Sequence, residues 1–71
     1  MNRIHPKALY GSKWTKVEVS DKERHFMVID VEFDEHQKVT RCVIQAVMNH
    51  RMCEINWREL KDSSQWLIGW K

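Results

Sequence analysis

A chain of 71 residues makes one domain with a small core, and its 42% hydrophobic and 31% charged residues exclude a chain disordered by composition. A formal net charge of +2 demands no polyanionic partner. No apolar run has the length of a signal-peptide core or a membrane span, so a soluble cytoplasmic protein without membrane contact is expected.

In chain order, His5-Pro6-Lys7-Ala8-Leu9-Tyr10-Gly11 reads as one helical turn, with Pro6 at its first position and Gly11 as its left-handed stop. Residues 13–19 read as a first strand, in which Thr15, Val17 and Val19 alternate with polar residues. A polar turn at 20–23 follows. A second strand covers 25–34. Phe26 and Val28 share one parity while Val31 and Phe33 share the other, which is what a bulge or sharp bend produces. After a turn at 35–38, strands at 39–48 and 51–57 flank Asn49-His50, which has the length of a tight hairpin connection. A two-residue turn there pairs Ala46 with Cys53, Ile44 with Ile55 and Cys42 with Trp57. That register gathers these six residues on one face and leaves Val43, Gln45, Val47, Met52, Glu54 and Asn56 on the other. Ile44, Ala46, Ile55 and Trp57 then form a core with Phe26, Val28 and Phe33.

The end of the chain has two readings. Trp57, Leu60, Ser64 and Leu67 have helical spacing, and Asn56 with Glu59 suits a capping box. Asp62-Ser63-Ser64 suit a turn better than a helix interior. One helical turn after Trp57 and a last strand over 66–70 is the favoured arrangement, and a helix over 57–68 is the alternative. The fold class is therefore mainly β: a small bent antiparallel sheet, or an SH3/Tudor-like partly open barrel of four to five strands, with a short N-terminal helical turn and a helical turn or short helix near 58–66.

Few residues carry chemistry. The hairpin register separates Cys42 from Cys53 by roughly 13 Å at about 3.3 Å per residue, too far for a disulfide, so both read as small buried thiols on the inner face. His5, His25, His36 and His50 show no zinc-ligand spacing, and no nucleophile motif or glycine-rich phosphate loop appears. No metal, cofactor or enzymatic activity is expected. The unusual feature is four tryptophans, Trp14, Trp57, Trp66 and Trp70, in so short a chain. At least two must be core. An exposed one beside Lys or Arg stacks on bases or cations. Residues 1–25 hold six Lys/Arg against three acids, whereas the remainder holds six against seven.

Ser12-Lys13-Trp14-Thr15, His25-Phe26, Phe33-Asp34, Ala46-Val47, Trp57-Arg58-Glu59-Leu60-Lys61-Asp62 and Gly69-Trp70 together resemble a family of small Trp-rich bacterial proteins, a domain of unknown function. The resemblance spans nearly the whole chain. It implies a bacterial cytosolic protein and no particular activity. Gln37 stands where that pattern often has Gly, which predicts a looser turn here.

The expected function is a noncatalytic binding module. RNA or single-stranded nucleic acid is the first candidate ligand, held by Lys13, Lys16, Lys22 and Arg24 with Trp14 or Trp70 as the stacking surface. A protein partner, met through an exposed Trp or an unpaired strand edge, is the alternative.

Overall fold

The computed structural model describes every residue except Asp21, so that part of the expected turn at 20–23 lies outside the described residues. Five strands, β1 (Lys13–Ser20), β2 (Glu23–Phe33), β3 (Val39–Ala46), β4 (Met52–Ile55) and β5 (Trp66–Ile68), form one antiparallel sheet in the order β4-β3-β2-β1-β5. Short 3-10 turns cover Pro6–Ala8 and Trp57–Lys61. The sheet is open: β4 and β5 lie at its two edges, bridged by the second 3-10 turn and not by strand pairing.

Local sequence accounts for most boundaries. Pro6 begins the first 3-10 turn, the His5 ring accepts the Lys7 N–H at 3.1 Å, and Gly11 takes φ +78° after it. Asn56 caps the second turn, its side chain accepting the Arg58 N–H at 3.1 Å. Asp62 closes the following turn by accepting both the N–H and the hydroxyl of Ser64. The bond to Asp62 takes the Ser64 N–H that a helix over 57–68 would give to Leu60 O, so the chain makes one turn and the longer helix does not form.

The parity switch in β2 is a bulge. Val28 faces Ile44 and Asp30 faces Val43, leaving Ile29 as the extra residue. Beyond it Val31 returns to the core side opposite Cys42. Phe33, expected in the core, is exposed instead. A second irregularity near Thr40 shifts its pairing to Val39, at the very end of both strands.

The β3–β4 hairpin keeps the expected faces in a register displaced by two residues. Cys42 pairs with Ile55 and Ile44 with Cys53, around the loop 47–50. Ala46 closes that loop, donating to Arg51 O and accepting from His50 N–H, and His50 rather than Asn49 is left-handed at φ +61°. A four-residue loop preserves the parity of a two-residue one, because side chains alternate with period two.

One face of the sheet carries the core of Leu9, Trp14, Phe26, Val28, Cys42, Ile44, Ala46, Leu60 and Trp66, with Ile55 and Trp57 only half-buried against it. Asn2 ties the N-terminal segment to that core: its side-chain amide donates to Leu60 O and Trp66 O, and its backbone N–H to Lys61 O. Cys53 points to the core side but is exposed, because it lies on edge strand β4 and faces a small open concavity shared with Glu59, Gln65 and Trp66. Burial, followed by the nearby Asp30 carboxylate, pushes the Cys42 thiol up to about 11. In the native state one thiol is therefore expected to react promptly with a maleimide. Peptide mapping should place it at Cys53, with Cys42 labelled only on unfolding.

The turn carrying Gln37 is not loose. Gln37 adopts φ +65°, and Asp34 Oδ1 accepts the N–H groups of His36 and Lys38 at 2.8 and 2.9 Å. The left-handed conformation is thus held without glycine. Gln37→Gly is expected to stabilise the fold by up to about 1 kcal/mol, raising Tm by roughly 4–8 °C in thermal melts.

Candidate functional site

Of the residues expected to bind nucleic acid, only Lys13 and Trp70 are seen to come together. Trp14 is 1% exposed, packed in the core with its indole N–H donated to Ser12 Oγ at 2.8 Å, and offers no stacking face. Trp66 is buried as well, in edge-to-face contact with Phe26. Trp70 is 43% exposed on the opposite face of the sheet. There Lys13 Nζ sits 4.8 Å from its ring centroid, the His25 ring lies 6.0 Å away, and its N–H is donated to Phe26 O. The C-terminal residues are pinned beside it, Thr15 donating to Gly69 O and accepting from the Lys71 N–H. Lys16 lies on the core side near Trp66, and Arg24 is exposed near the start of β2, where the pairing with β1 is irregular. Lys22 sits in the β1–β2 turn with φ +63°. Lys13 and Trp70 therefore share a surface, and Lys16 lies on the other side of the sheet.

At the end of the sheet where β1 turns into β2, Glu23 is 3% exposed and receives the guanidinium of Arg51, its Nε at 2.7 Å, with the Asn49 amide at 3.0 Å. These bonds, the one from Arg51 first, hold its carboxyl at about 2, against an ordinary value of 4.5. The ionised form thus favours the folded state. That contribution is complete above 4.5, the value in the unfolded chain, and fades as the pH falls toward 2. Melting curves across this window should show Glu23→Gln with a flatter pH dependence than the parent.

An open groove of about 800 Å³ lies between the second 3-10 turn, the β2–β3 turn and Pro6. It exists because β4 ends at Ile55, opposite Cys42, where Asn56 turns the chain away, while β3 begins three residues earlier, at Val39. Residues 39–41 thus have β2 on one side and, among the described residues, no strand on the other. Ile55 and half-buried Trp57 supply apolar surface to the groove, with Arg41, Arg58 and Lys38 at its rim. Arg41 is already balanced by Asp30, Glu32 and Glu54 at 3.6–3.9 Å. Lys61 Nζ lies 4.7 Å from the Trp57 ring centroid. The sequence marks Trp57 as one of four tryptophans, but the groove depends on where β4 stops, which no motif announces. Among the described residues no three His, Cys, Asp or Glu side chains converge as metal ligands, and no helix is long and apolar enough to cross a membrane.

A family model described as "Tryptophan-rich protein (DUF2389)" matches residues 12–71. No curated protein and no solved structure matches the chain.

Proposed function

We propose, for a chain that belongs to the tryptophan-rich family DUF2389, that it is a noncatalytic protein-binding module taking an extended segment of a partner protein into the groove beside Trp57. The observation that supports this reading is the open edge of β3 at 39–41, in line with the end of β4 and above the groove. An extended segment adds to such an edge by main-chain hydrogen bonds, and its alternate side chains enter the adjoining concavity. Trp57 and Ile55 meet an apolar side chain there. Lys38 and Arg58, which form no ion pair among the described residues, favour a segment carrying carboxylates.

The nucleic-acid reading is less well supported. The Trp70 ring is flanked by Lys13 and His25, and Lys16 lies across the sheet near Trp66. A displayed library of random peptides, selected on the full chain, separates the two. Selected peptides are expected to be rich in Asp and Glu, to shift the backbone amide resonances of 39–41, and to bind Trp57→Ala at least roughly thirtyfold more weakly, as for an interfacial hot spot of about 2 kcal/mol. If no peptide is selected and labelled single-stranded RNA instead shifts Lys13, His25 and Trp70, the nucleic-acid reading replaces this one.

A further inference from the structure

Strand β4, whose Glu54 and Ile55 also line the groove, has a free outer edge among the described residues. Ala46 N–H bonds Arg51 O, so the positions 46/51, 44/53 and 42/55 are the hydrogen-bonded pairs of the β3–β4 ladder. The backbone N–H and C=O groups of Met52 and Glu54 consequently point away from β3, toward the open side. Natural edges are commonly blunted by Lys, Pro or a bulge, and Met52-Cys53-Glu54-Ile55 has none of these. All but Ile55 are exposed.

We infer that this edge pairs with the same edge of a second copy of the chain, across a twofold axis normal to the sheet. Such an axis keeps each face of the sheet on its own side, so paired residues must have the same parity. Three registers qualify near the centre of β4. Pairing Glu54 with Glu54 sets like charges directly opposite, which is destabilising. Pairing Met52 with Met52 calls on the N–H of His50, already given to Ala46 O. The third pairs Met52 of each copy with Glu54 of the other. It uses every outward backbone group of both residues, makes four hydrogen bonds, and keeps each Glu54 beside its own Arg41 at 3.6 Å. The edge is thus complementary to itself in one register, and the result is a continuous ten-stranded sheet.

That register places the two Cys53 residues opposite each other as a non-hydrogen-bonded pair. Their Cα atoms would be about 4.5 Å apart, within the range a disulfide spans. The thiols therefore report the pairing. Added oxidised glutathione takes two electrons from the two thiols, which lose two protons and form one S–S bond between copies, and the reagent leaves as two reduced glutathiones.

Sedimentation equilibrium of the full, reduced chain is expected to show a monomer–dimer equilibrium at sub-millimolar concentration. Oxidation should trap a Cys53–Cys53 dimer in both the parent and Cys42→Ser. Glu54→Pro removes an outward N–H without removing a β3–β4 bond, and should weaken dimerisation at least about tenfold. Met52→Lys, which adds an edge charge and leaves the backbone intact, should do the same if the proline variant fails to fold. A reduced parent that stays monomeric across this range overturns the inference. So does a dimer unaffected by Met52→Lys, or one whose trapped disulfide does not join Cys53 to Cys53. Peptide binding in the groove is read separately on Met52→Lys, which weakens the edge pairing at a residue outside the groove, so failure of one reading is distinguished from failure of the other.

Discussion

Trp14→Ala is expected to leave the chain largely unfolded at room temperature. Trp14 stands near the start of β1, where it pairs with Phe26 on one side and Ile68 on the other. It is among the largest fully buried side chains. Removing a buried Trp side chain costs about 3–5 kcal/mol, because the cavity left behind collapses only in part. A domain of this length has roughly 4–10 kcal/mol of total stability, so the loss consumes much of it. The indole also holds the chain entering β1. Its N–H bonds Ser12 Oγ, and the Ser12 hydroxyl donates to Leu9 O at 2.6 Å. Truncation therefore frees the Ser12 hydroxyl as well as opening a void. Urea titration followed by far-ultraviolet circular dichroism measures the effect. Trp14→Phe, which keeps most of the volume and loses the N–H, should fall between the parent and the alanine variant. An alanine variant of parental stability would mean that the core is centred elsewhere.

The second large effect is expected outside the segment matched by the family model. Leu9 precedes residue 12, yet it is 0% exposed and belongs to the central cluster. The 3-10 turn at Pro6–Ala8 and the left-handed Gly11 fold the N-terminal segment back against the sheet, and the Leu9 side chain enters the core with Ile4 packed beside it. Leu9→Ala should cost about 2–5 kcal/mol in the same titration. Tyr10→Ala, next along the chain and largely exposed, should stay within about 0.5 kcal/mol of the parent. Equal effects at the two positions would contradict the packing described.

Much of this fold is legible in the residues because side-chain alternation is local. The switch in parity between Val28 and Val31 already implies the bulge that the pairing places at Ile29. Asn56, Asp62 and Ser64 already imply a short turn before the last strand. The two faces of the β3–β4 hairpin follow from alternation alone, and for the same reason its register does not: a two-residue displacement leaves every side chain on the face it had. The family resemblance, too, rests on residues read directly from the chain, and the family model matches it over 12–71.

Burial at the edges and the candidate site needed the tertiary structure. Cys42 and Cys53 share a face and a residue type, yet Cys42 lies within the core while Cys53 sits exposed on the edge strand. Trp14 and Trp70 both have a lysine as neighbour in sequence, but one ring points into the core and the other lies on the outer face with Lys13 over it. The groove beside Trp57 arises because β3 outlasts β4 by three residues. Alternation determines which side of a strand a residue occupies. Whether another element lies over that side depends on chain packing far away in sequence, and no local pattern carries it.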